Sequence, residues 1–133
     1  MLARHAGLLA AALILPGCAA VSTADGQRLP LTSAEFRAYV ERVFREQNRL
    51  TDELAFALED AVTPATDLAA AEQALLKACA GVNELATARR DERRLGMRRS
   101  TAAARSVPEC EQVSRAAADA LAQAVQRAPL ADE

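Results

Sequence analysis

SAEFRAYVERVFREQNRLTDELAFALEDAV, residues 33–62, is the stretch that decides the fold. Within it Phe36, Val40, Val43, Gln47, Leu50, Leu54, Ala57 and Ala61 recur in alternating steps of four and three. At 100° per residue these positions stay on one face of a helix, and Tyr39, Phe44, Leu58 and Val62 widen that face. Thr32-Ser33-Ala34-Glu35 provides a capping-box pattern at its start. Gln47 interrupts the stripe, either to fix register by a buried hydrogen bond or as a solvated position at the bundle edge. Phe56 projects about 160° from the stripe of Leu54 and Leu58. It reads as an ordinary exposed aromatic or as a contact for a partner or a second copy.

Downstream, Thr63-Pro64 offers an N-cap and a first-turn proline. Leu68, Leu75 and Val82 then recur every seven residues, with Cys79 and Ala86 on the same stripe. This predicts a second helix over 64–95, ending at Gly96 as a left-handed cap. Gly81 lies inside it, at a cost of about 1 kcal/mol relative to alanine, which close approach of a neighbouring helix would explain. A third helix carries Cys110, Val113, Ala117, Leu121, Ala124 and Ala128, and Pro129 stops it. Its start is open between about 98 and 107, because Pro108 either begins the helix or kinks a longer one. The expected fold is all-α, an up-down-up antiparallel three-helix bundle with helices at about 33–62, 64–95 and 98 or 107 to 128, and a short tail over 129–133.

Composition agrees with helix. Of 133 residues 33 are alanine, while aromatics are confined to Phe36, Tyr39, Phe44 and Phe56. Alanine favours helix but buries little area, so the core is expected to be thin and to gain from a covalent staple. Net charge is −2, which gives no reason to expect a nucleic-acid partner. Arginine outnumbers lysine 15 to 1, as a GC-rich genome would produce.

The amino terminus reads as an address. A short basic start is followed by the apolar run Ala6–Leu15 and by Pro16-Gly17-Cys18. That run is shorter than the roughly 20 residues needed to span a bilayer and fits a secretory signal. Leu15-Pro16-Gly17-Cys18 resembles the lipobox of bacterial lipoproteins, with Pro16 where alanine or serine is usual. The resemblance implies removal of residues 1–17, diacylglycerol on Cys18 and N-acylation, for example by palmitate. It also implies residence in the cell envelope. With Ala19 following, that means the periplasmic side of the outer membrane in a host with two membranes. The alternative is a secreted protein cut after Ala20. Residues 18–32, mixed, polar and broken by Gly26 and Pro30, read as a flexible lipidated tether.

Outside the cytosol the remaining cysteines, Cys79 and Cys110, are expected to form a disulfide rather than stay as buried thiols. Closing a 32-residue loop adds roughly 3–4 kcal/mol. The pair also locates a turn. Residues equidistant from a hairpin turn face each other, and the midpoint of 79 and 110 falls beside Gly96. A helix unbroken to Arg105 would end roughly 39 Å from Cys79, and five more residues reach back only about 17 Å. The bond therefore requires a turn near Arg94–Met97.

Catalytic constellations are missing from the pattern. The sole histidine, His5, lies in the signal, which leaves no Ser-His or Cys-His pair and no histidine metal site. There is no glycine-rich phosphate loop. The adjacent acids Asp52-Glu53, Glu59-Asp60 and Asp91-Glu92 do not face one another along a helix. No enzyme activity and no cofactor are expected.

The densest charge feature is Arg89, Arg90, Arg93, Arg94, Arg98 and Arg99. Such a run is commonly a solvated helix end, but the up-down-up order puts it at the tethered end, facing an anionic lipid surface or another envelope polymer. The expected function is that of a non-catalytic, membrane-anchored structural or adaptor lipoprotein with an unknown partner. The alternatives are a periplasmic carrier with a small apolar ligand among Leu50, Leu54, Leu75, Leu76 and Leu121, and a coiled-coil oligomer.

Overall fold

The computed structural model describes residues 19–61 and 65–127. Its elements are strands β1 (Ala20–Ser22) and β2 (Arg28–Pro30), then helices α1 (Ala34–Glu59), α2 (Thr66–Ala78), α3 (Ala80–Arg90) and α4 (Met97–Arg127). The body is helical as expected, but it contains four helices and a small sheet rather than three helices alone. The expected signal, Cys18, Thr63, Pro64 and the tail lie outside the described residues.

Helix α1 follows its stripe. Phe36, Tyr39, Val40, Val43, Gln47, Leu50 and Leu54 are buried. The cap is Ser33, whose hydroxyl accepts the Phe36 N–H at 3.0 Å. Glu35 therefore stands one position too early to close a capping box, which pairs the N-cap with the third helical residue. Gln47 is buried, yet its amide donates to Asn48 (3.3 Å) and Thr51 (3.4 Å) on its own helix. No bond across the bundle fixes register there.

The second predicted helix is two helices that meet at Cys79, where the backbone turns to φ −91° and ψ 3°. Two constraints converge on this break. Cys79 is bonded to Cys110 of α4 with the Cα atoms 4.6 Å apart. Two residues on, a Cβ at Gly81 would stand 2.2 Å from Ser106 Oγ and 3.1 Å from Ala103 Cα. Glycine thus lets α3 lie directly on α4. The expected disulfide is present.

Helix α3 ends earlier than expected. Asp91 caps it, Glu92 adopts the left-handed conformation (φ 52°), and the amides of Glu92 and Arg93 return to the carbonyls of Arg89 and Ala88. These bonds form a Schellman close with glutamate where glycine is usual. Gly96 is not the left-handed residue. Its carbonyl accepts the Ser100 N–H and opens α4, which begins at Met97 and carries Pro108 inside it.

Cross-helix pairs give the directions. Asp67 meets Arg127, Cys79 meets Cys110, and Glu84 meets Arg99, so α2 and α3 run antiparallel to α4. Arg42 meets Glu111 and Phe56 lies beside Val125, so α1 runs parallel to α4 and hence antiparallel to α3. Leu50, Leu54, Leu75, Val82, Val107 and the disulfide form the centre of the core.

Residues 19–32 do not form the loose tether expected from the sequence. Strands β1 and β2 pair antiparallel, Val21 opposite Leu29, and both of those side chains are buried. The turn holds Gly26 at φ +82°, with its N–H on the Thr23 carbonyl and the Gln27 N–H on the Thr23 hydroxyl. Alternating Val21, Thr23 and Leu29 provide an inward face, which an unstructured chain would leave in water.

Candidate functional site

A two-stranded hairpin is marginal alone in water, so what holds this one decides where the chain emerges. The answer is Glu111, in the middle of α4 and only 4% exposed. Its carboxylate accepts the Ala24 N–H (3.1 Å), the Tyr39 hydroxyl (2.7 Å) and the guanidinium groups of Arg42 (3.0 Å) and Arg115 (3.1 Å). Arg115 also grips Asp25 in the turn. Burial by itself would raise the Glu111 carboxyl. The bonds from Tyr39, Ala24 and Arg42 outweigh it and hold the group below the ordinary carboxylate range. Tyr39 moves the other way, because burial and the neighbouring carboxylate both disfavour its phenolate.

With its turn fixed beside Arg115, the hairpin's open end lies at the start of α1. There the Leu31 N–H donates to the Ala19 carbonyl at 2.9 Å. Leu31 also lines an open cleft of about 700 Å³ between α1 and α3, together with Arg89, Arg90, Arg93 and Arg94. The residue after Cys18 and four of the six predicted arginines therefore share one end of the molecule. Arg98 and Arg99 sit in the first turn of α4, next to that cleft in sequence but outside its lining.

No family model, curated protein or solved structure matches this chain. Its chemistry has to be read from the site itself.

The six arginines are partly neutralised. Arg89 pairs with Glu41, Arg90 and Arg93 with Asp91, and Arg99 with Glu84. Arg94 and Arg98 form no ion pair among the described residues. Six cations against Glu41, Glu84, Asp91 and Glu92 leave a net charge of about +2 at this end. Arg89 and Arg90 complement the negative C-terminus of α3. Arg98 and Arg99 do the reverse: they occupy the first turn of α4, which holds no acidic residue, where the helix dipole opposes a cation. Between them and Arg94 stands Met97, an apolar side chain left 85% exposed. Arg99 is accounted for by its pair with Glu84 on α3, whereas no such contact among the described residues accounts for Arg98 or the exposed Met97. A basic, apolar tip suits an anionic interface.

Phe56 is exposed, as the sequence suggested, but it is not alone. With Val125 of α4, itself exposed, it borders a hollow of about 490 Å³ at the opposite end of the bundle. Of the five leucines expected around an apolar ligand, Leu50 and Leu121 line this same hollow. Leu54 and Leu75 are packed into the core and Leu76 is exposed. Among the described residues no three His, Cys, Asp or Glu side chains gather as metal ligands, and no helix is long and apolar enough to cross a membrane.

Glu111, Tyr39 and the hairpin escaped sequence reasoning as a unit. The available signal was Asp25-Gly26 between Val21 and Leu29, a turn dipeptide flanked by apolar positions. Only Arg115, one turn along α4, is a local partner of Glu111; the other three lie 69 to 87 residues away, so nothing local marks it as buried.

Proposed function

We propose that this protein is a lipid-anchored envelope adaptor without catalytic activity: Cys18 carries the acyl chains, the arginine tip rests on the bilayer, and the hollow at Phe56 and Val125 meets a protein partner. The observation that carries this reading is the bond between Ala19 and Leu31. An anchor on Cys18 would be one residue from a folded hairpin and beside Arg93 and Arg94, so the domain would stand against the membrane with no spacer. Each basic residue near an anionic surface contributes about 1 kcal/mol, so a net charge of about +2 provides roughly 2 kcal/mol and an inserted Met97 adds to it. That is weak for a free domain and ample for one already tethered.

Two measurements test this. Intact mass of the membrane fraction, after expression of the full chain in a bacterial host, should show cleavage before Cys18 plus acyl groups, and Cys18→Ala should abolish both. Unlipidated protein from Ala19 onward should pellet with anionic vesicles at low salt far more than with neutral ones. An unacylated product refutes the anchor, and equal pelleting refutes the tip.

A further inference from the structure

The cleft between α1 and α3 combines two surfaces that seldom meet. Its floor is apolar, built by Phe36, Val40, Phe44 and Leu85, and its rim carries arginines from both helices and the loop that follows α3. Among the rim cations Arg89 is engaged by Glu41 and Arg90 by Asp91, Arg93 stands at the long distance of 3.9 Å from Asp91, and Arg37 and Arg94 form no ion pair among the described residues. The volume, about 700 Å³, falls within the range of roughly 300–1,000 Å³ typical of small-molecule sites. A neutral hydrocarbon would use the floor and leave the rim idle, and a free phosphate would do the opposite. A ligand that is long, apolar and singly anionic at one end uses both.

We propose that this cleft receives one acyl chain of an anionic membrane phospholipid, with the chain along Phe36, Val40 and Phe44 and the phosphate against Arg93 and Arg94. The proposal rests on the reading that this end lies at the bilayer, because such a lipid is presented there. Charge complementarity selects the occupant. An acidic peptide would satisfy the arginines but would not fill an apolar floor.

The test is calorimetric titration of the unlipidated chain Ala19–Glu133, which contains every described element. The probes are lyso-phosphatidylglycerol below its micellar concentration, its choline counterpart with the same chain, and inorganic phosphate. One glycerol lipid should bind per chain, at least tenfold tighter than the choline lipid, with phosphate far weaker. Arg93→Ala/Arg94→Ala changes two exposed side chains and should abolish the preference, at about fivefold per arginine. Phe44→Glu should remove binding with the helical signal intact. Equal affinity for the two lysolipids, many lipids per chain, or phosphate binding as tightly overturns the proposal. Met97→Ser/Arg98→Ala alters neither floor nor rim, so it should weaken vesicle pelleting and leave the titration unchanged. Pelleting without titratable binding refutes the cleft alone. Binding without pelleting refutes the membrane-facing tip alone.

Discussion

Glu111→Ala removes the group on which the hairpin depends. Of its four donors, the Arg42 and Arg115 side chains are 56% and 52% exposed, so water replaces the carboxylate and each pair is worth about 0–1 kcal/mol. The Tyr39 hydroxyl is buried, and leaving it without an acceptor costs about 1–3 kcal/mol. The Ala24 N–H is half-buried and loses about 1 kcal/mol. Relief of the carboxylate's own desolvation offsets part of this, which leaves about 2–3 kcal/mol, or a melting temperature lowered by roughly 8–12 °C for a domain of this size. Circular dichroism measures the melting. Hydrogen exchange tells where the loss falls: the amides of Thr23, Gly26 and Leu31, all bonded within the hairpin, should lose protection while those in mid-α1 keep it. A variant that melts within 2 °C of the parent, or loses protection evenly along the chain, refutes the clamp. The pH dependence has a defined sign. Because the folded carboxyl titrates below its unfolded value, its contribution is complete above about pH 4.3 and is lost as pH falls through the folded value. The advantage of the parent over Glu111→Gln should be constant from pH 5 to 8 and shrink below about pH 4.

Reduction of the Cys79–Cys110 bond, or the double change to alanine, should lower stability to urea by about 3–4 kcal/mol with helical content largely kept. Gly81→Ala gains up to about 1 kcal/mol of helix propensity but drives a methyl into Ala103 and Ser106, at about 1–3 kcal/mol. It should melt lower than the parent, and Ser106→Ala added to it should recover part of the loss. A Gly81→Ala protein that melts higher would show that α3 and α4 are not pressed together at this point. Phe56→Ser, at a position 68% exposed, should leave stability within about 0.5 kcal/mol while removing a partner cross-link made from Val125 on the same hollow.

The parts of this fold legible in the sequence are those governed by local rules. The four-three spacing from Phe36 to Leu54 is the buried face of α1, and the cysteine pair located the α3–α4 turn to within a few residues. The break at Cys79 was hidden because Thr66 to Arg90 keeps its apolar period through it, and the features beside it, the bond to Cys110 and the close approach of Gly81 to Ala103 and Ser106, involve another helix. Glu92 took the left-handed position expected of Gly96 because α3 closes at Asp91, and no local propensity favours glutamate there. At the candidate site the arginines were visible as a run. Their union with Leu31, Phe36 and Phe44 in one cleft depends on tertiary packing, as does the company that Val125 gives Phe56.

The hairpin changes what an anchor on Cys18 would do mechanically. A free tether would let the bundle tumble, so that any face could meet the bilayer. With Ala19 bonded to Leu31, an anchor on Cys18 would bring down the end bearing Met97. Charge alone does not select that pose, because the flank between α1 and α4 also sets Arg42, Arg45, Arg49 and Arg115 against Glu46 and Glu111; the exposed Met97 and the position of Ala19 are what set the tip apart. From Met97 to Val125 is 28 residues of continuous helix, or about 42 Å at 1.5 Å per residue. On the proposed anchor, an upright bundle would hold the Phe56 and Val125 hollow roughly 40 Å above the lipid. Fluorophores placed singly at Met97 and at Val125 of the lipidated protein distinguish the poses. A quencher attached to lipid headgroups should darken the first and spare the second, and equal quenching would mean that the bundle lies flat and has no far end to offer.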